Sequence, residues 1–87
     1  MGLDADEVCR NLRAFLSAEV LHGQDPGDHT PLADVGVDSF ALMETVLYLE
    51  RRFGIVVPID RLTREHTRTA HALGCCVAEL ASESPVP

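Results

Sequence analysis

Lysine and tryptophan are both missing from this sequence, and aromatic residues are scarce: three phenylalanines and one tyrosine in 87 residues. All seven basic residues are arginines, set against 14 acids for a net charge of −7. A nucleic-acid binder needs a basic face to displace counterions from phosphates, so this charge excludes that class of partner. With so few aromatics, the core must come from Leu, Val and Ala, which suits helices packed on helices and leaves little room for a deep catalytic cleft. The three cysteines, Cys9, Cys75 and Cys76, are odd in number and two are adjacent. That is a poor disulfide framework, so a reducing, cytoplasmic setting is expected. No apolar run approaches membrane-spanning length, and no signal-peptide pattern precedes the polar stretch Asp4 to Glu7. No membrane partner is expected.

What is present fits one small domain over residues 1–87, with its core over about 5–80, near the lower size limit for a core without staples. The acidity is uneven. Residues 1–38 carry eight acids against Arg10 and Arg13, net −6, and residues 39–87 carry six acids against five arginines, net −1.

Asp4 and Glu7 read as a capping box for a first helix in which Val8, Leu12, Phe15 and Leu16 recur at helical spacing, with Gly23 as its stop. Glu19 falls in that stripe and is expected at an open end, where its carboxylate reaches water. Gln24 to Gly36 holds two prolines, two glycines and several aspartates, and reads as a long loop anchored by Leu32 and Val35. Asp38 caps a second helix with Leu42, Val46, Leu49 and Phe53 on one stripe, widened by Met43 and Leu47, and Gly54 ends it. Ile55-Val56-Val57-Pro58 has no second strand to pair with, so it reads as a connector that plugs Val57 into the core. Asp60 suits the cap of a short third helix around Leu62 to His66. Thr69 suits a fourth, with Ala70, Leu73, Val77 and Leu80 on one face, and Ser82 to Pro87 reads as a frayed tail. The expected fold is therefore all-α: a four-helix bundle with a short third helix and a long loop between helices 1 and 2.

Gly36-Val37-Asp38-Ser39-Phe40 stands where the long loop enters the second helix. It offers one exposed hydroxyl at a helix N-terminus, where backbone N–H groups and the helix dipole favour negative charge, so a phosphodiester on Ser39 would be well placed. The same residues also fit a plain helix cap, since Asp and Ser are among the commonest caps.

Taken together, Pro31-Leu32-Ala33-Asp34-Val35-Gly36-Val37-Asp38-Ser39-Phe40, the stretch Leu42 to Phe53 and the Val57-Pro58 step resemble an acyl carrier protein over roughly residues 5–80. The resemblance implies a four-helix bundle with a short third helix, and a 4′-phosphopantetheine arm transferred from coenzyme A to Ser39 by a separate phosphopantetheinyl transferase that binds its own Mg²⁺. It implies acyl cargo held as a thioester on that arm, and partner enzymes such as ligases, acyltransferases or ketosynthases that do the chemistry. The carrier itself would be non-catalytic. Separately, nothing in the apolar pattern demands a dimer seam, so a monomer is expected. Partner contacts would fall on Asp38, Phe40, Met43, Glu44, Leu47 and Arg51. Fatty-acid carriers are often acidic where this chain has Ala41 and Arg51, with Arg52 following, so the resemblance points to a discrete carrier of polyketide or related antibiotic biosynthesis. Charge at such a face mainly sets encounter rate and specificity. The motif reads Val37-Asp38-Ser39 rather than the Gly-His-Ser of peptidyl carriers, which favours acyl over aminoacyl cargo; a discrete aminoacyl or peptidyl carrier is the alternative.

From other classes, an acidic helical interaction module that has lost the modification would keep full function without Ser39. A small hydrolase using Ser39 would need a partnered base, and no Ser-His pairing is evident. His71 and Cys75 lie one turn apart on the face opposite Leu73, but two ligands do not make a metal site, and no metal is expected. Asp25, Asp28 and Asp34 lack calcium-loop spacing and read as a solvated acidic loop. Arg61, Arg64 and Arg68 read as a solvated face, and Cys9 and Cys76 as small core residues.

Overall fold

The computed structural model describes residues 4–83, and all regular structure among them is helical. Helix α1 spans Ala5–Glu19, α2 Ser39–Phe53 and α3 Ala70–Glu83, with 3-10 turns at Leu32–Val35 and Ile59–Arg61. Each α-helix starts on a side chain that satisfies one of its orphan amides. The Asp4 carboxylate accepts from Asp6 N–H at 3.1 Å, one residue short of the expected Glu7 pairing. The Asp38 carboxylate accepts from Ala41 N–H at 2.8 Å, and the Thr69 hydroxyl from Ala72 N–H at 3.0 Å. At the far ends, α1 closes at Glu19 with Gly23 folding back to Ser17 O at 2.7 Å. Gly54, at φ +66°, caps α2 in the left-handed conformation that favours glycine.

The core is the aliphatic centre of these three helices. Val8, Leu12 and Leu16 of α1 meet Leu73, Val77 and Leu80 of α3, with Ala41, Val46 and Leu49 of α2 completing the cluster. Packing of α1 on α3 is the more extensive contact, and α1 on α2 the lesser. Phe15 and Tyr48 stack at 4.5 Å between ring centroids and fasten α1 to α2. The long loop is tied down at both ends. Arg13 of α1 reaches Asp28 at 3.4 Å and Asp25 at 3.9 Å, Asp28 O accepts from His71 N–H, and Leu32 donates to Arg68 O at 2.8 Å. Leu32 is buried as the expected anchor, and Val35 packs against the core.

Three expectations need correction. The segment Leu62 to His66 is not an α-helix. Asp60 lies inside the 3-10 turn Ile59–Arg61, and a hydrogen-bonded turn over residues 63–67 follows. There the Thr63 hydroxyl accepts from His66 N–H, and the Thr67 hydroxyl donates to Thr63 O, so side chains close a turn that a helix would otherwise continue. Met43 and Leu47 do not widen the buried stripe of α2. They are 43% and 47% exposed, while Ala41 and Thr45 are buried instead. Finally, α3 runs to Glu83, so Ser82 belongs to the helix; Ser84 to Pro87 lie outside the described residues. The Ile55 to Pro58 segment is an irregular connector with Val57 buried, as expected, and Val57 N–H donates to the Glu50 carboxylate at 2.8 Å.

Candidate functional site

Ser39 is the first residue of α2, and its side chain is exposed. The local sequence dictates this. Val37 is buried beneath the helix start and its N–H donates to Leu32 O, which fixes the incoming backbone, while Asp38 takes the cap. The next residue must then point outward from the first turn. Gly36 makes the approach possible: at φ +99° it ends the 3-10 turn in a conformation that strains any residue with a Cβ. The Asp38 carboxylate is engaged by Ala41 N–H and so caps the helix.

Beside Ser39 lies a cavity of about 400 Å³ lined by residues of the loop, the start of α2 and the turn before α3. Leu32, Val37 and Leu42 supply its apolar wall, Asp38 and Ser39 border it, and Arg64 and Arg68 bring positive charge to it. No histidine lines it.

The other residues singled out from the sequence are brought onto a single face. At 100° per residue, Phe40, Met43, Glu44, Leu47 and Arg51 fall within about a third of the helix circumference. All five are exposed, Phe40 at 73%. Phe40, Met43 and Leu47 are the apolar members of this strip, and Glu44 and Arg51 carry its charge. Ala41 is buried and lies outside the strip, so its lack of charge says nothing about that face; the charge there is at Glu44 and Arg51. Asp38 is exposed at the helix start, next to the strip. A second cavity, lined by Phe15, Glu19, Glu44, Leu47, Tyr48 and Arg51, lies along the strip and includes Glu19 at the solvated end of α1.

Away from this face, Cys75 Sγ is 3.6 Å from His71 Nε2, and the His29 and His71 rings are 4.7 Å apart. Among the described residues no group of three or more His, Cys, Asp or Glu is placed to hold a metal ion. Cys9 and Cys76 are buried, as small core residues should be. Burial, with the nearby Asp28 carboxylate, pushes the Cys9 thiol up from 9.0 to about 11. Among the described residues, no helix is long and apolar enough to cross a membrane.

The family described as "Phosphopantetheine attachment site" matches residues 9–73, a stretch that contains Ser39, the cavity and the exposed strip. The chain belongs to that carrier family. Two relatives share its span: the anthracycline acyl carrier proteins DpsG of Streptomyces peucetius and DauA of Streptomyces sp. (strain C5). Each is 30% identical over 71 residues, which is 82% of this chain and 82% of the relative. The family's cofactor is phosphopantetheine, and such carriers are in general non-catalytic and work with a phosphopantetheinyl transferase and biosynthetic enzymes. The site's donor set fits that group: one solvent-facing hydroxyl, at a helix start, beside guanidinium groups suited to a phosphodiester. Sequence reasoning did not find the cavity or the place of Arg64 and Arg68 in it, because their approach to Ser39 is made by chain segments some 25 residues apart.

Proposed function

We propose that this chain is a monomeric, non-catalytic, cytoplasmic acyl carrier of a polyketide pathway, with Ser39 as the attachment residue. The observation that carries the assignment is the exposure of Ser39 at the first position of α2, inside the matched region and in the Gly36-Val37-Asp38-Ser39-Phe40 setting. When bound, the arm supplies a terminal thiol on which acyl cargo is held as a thioester. The chain's own residues place it: Asp38 fixes the helix start, Val37 and Leu32 hold the approach, and Ser39 offers its oxygen to solvent, where a transferase can reach it.

The anthracycline carriers named above favour acyl cargo over aminoacyl cargo. We assign the strip Phe40, Met43, Glu44, Leu47 and Arg51, with Asp38 at its head, as the docking face for loading and processing enzymes such as ligases, acyltransferases or ketosynthases. The turn Ile59–Arg61 and the hydrogen-bonded turn after it stand in for the short third helix of a four-helix carrier bundle, and the chain over 1–87 is one such domain.

The test is direct. Apo protein incubated with coenzyme A and a broad-specificity transferase should gain one phosphopantetheinyl group by intact mass, and Ser39→Ala should gain none. Modification of the alanine variant, or an unmodified wild type under several transferases, would overturn the assignment.

A further inference from the structure

The cavity beside Ser39 has a charge pattern that attachment alone does not require. On a chain of net charge −7, acids outnumber arginines two to one, and Arg13 is paired with Asp25 and Asp28. Like Arg10, Arg51 and Arg52, Arg64 and Arg68 make no ion pair with a described residue; unlike those three, both line the cavity that Ser39 borders. Their backbone is held in place. Arg68 O accepts from Leu32 N–H at 2.8 Å, and Thr67 donates to Thr63 O from both its amide and its hydroxyl. Below them, Leu32 and Val37 are buried and Leu42 is half-buried, giving the cavity an apolar floor under a positive mouth.

A phosphodiester on Ser39 would carry its negative charge on oxygens two bonds from the side-chain oxygen, whatever cargo the arm bears. It would also stand next to the Asp38 carboxylate, an unfavourable neighbour of like charge. Guanidinium groups are the side chains best matched to phosphate oxygens, in charge and in fork geometry. We infer that Arg64 and Arg68 form an anion clamp for the phosphodiester of the Ser39 arm, turning the first part of that arm over Leu32, Val37 and Leu42 rather than leaving it in solvent. This inference rests on Ser39 being the attachment residue. The clamp gives the carrier a resting state in which the arm lies against the domain, and a partner with an acidic edge would release it by competing for the arginines.

The experiment compares apo and holo protein, each verified by intact mass, by methyl and phosphorus NMR. The proteins are wild type, the double variant Arg64→Gln with Arg68→Gln, each single variant, and Arg10→Gln as a control that removes a charge from exposed α1. Both clamp arginines are exposed, so glutamine should leave the fold intact, and circular dichroism checks this. Conversion to holo should shift the methyl resonances of Leu32, Val37 and Leu42 in wild type and in the control. The double variant should lose roughly half of that shift or more, as should wild type at about 1 M salt, where exposed charges are screened within about 3 Å. Methyl shifts absent from wild type, or undiminished in the double variant, would overturn the clamp. So would shifts that appear only when a carboxylated acyl group such as malonyl is loaded, because the anion recognised would then be the cargo's. No mass gain at Ser39 would instead bring down the attachment assignment, and the clamp with it.

Discussion

Asp38 and Ser39 are adjacent and do opposite things with their oxygen atoms. Asp38 turns inward to the helix and accepts from Ala41 N–H, while Ser39 is left to solvent. The cap is worth about 1 kcal/mol in comparable helices, so Asp38→Ala should lower the urea midpoint by a corresponding amount, whereas Asp38→Asn, which keeps the acceptor, should hold most of it. Cys9 makes a second residue-scale prediction. Its thiol donates to Ala70 O at 3.5 Å, and burial raises its pKa from 9.0 to about 11. The native state therefore keeps this proton to higher pH than the unfolded chain does. The stability linked to it is complete below pH 9.0 and is lost as pH rises toward about 11. Denaturant melts between pH 8 and 11 should show a steeper decline for wild type than for Cys9→Ala, and equal slopes would contradict the burial argument.

At the scale of elements, α2 shows how a helix with apolar residues on several sides chooses the one to bury. Leu42, Val46, Leu49 and Phe53 would serve with either Met43 and Leu47 or Ala41 and Thr45 beside them. The smaller pair is the one buried, and Thr45 is accommodated because its hydroxyl donates to Ala41 O at 2.8 Å. The longer side chains are turned out with Phe40, where they form the exposed strip. Between α1 and α3 the determinant is Gly74. A Cβ there would collide with Cys9 Sγ and lie 3.3 Å from the Cys9 backbone nitrogen. Alanine gains about 1 kcal/mol of helix propensity but forces the helices apart, and overpacking costs about 1–3 kcal/mol. Gly74→Ala should therefore destabilise by about 1 kcal/mol in a urea titration, and shortening the obstacle in Gly74→Ala with Cys9→Ala should recover part of the loss.

For the whole molecule, stability is concentrated in the α1–α3 seam, and the proposed attachment site lies at the loop and the start of α2. Leu12 is fully buried in that seam, so Leu12→Ala should cost about 2–5 kcal/mol. That is a large part of the 5–15 kcal/mol available to a typical domain, and the thermal midpoint should fall steeply. The same variant should still accept the arm at Ser39 while folded, because the site is built from the loop and the first turn of α2. A mass-spectrometric modification assay below the variant's melting temperature checks that separation of roles.

The sequence by itself determined whatever rests on neighbours within a turn or two. Asp4, Asp38 and Thr69 start the three α-helices, Gly54 ends the second, and Ser39 follows its cap into solvent, because caps and turns are local bargains between a side chain and nearby amides. Tertiary structure decided the rest. Which face of α2 was buried was settled by packing in the shared core, where Ala41, Val46 and Leu49 join residues of α1 and α3. That Arg64, Arg68 and Ser39 line one cavity goes with a backbone hydrogen bond from Leu32 to Arg68, between residues far apart in the chain, which no local pattern records.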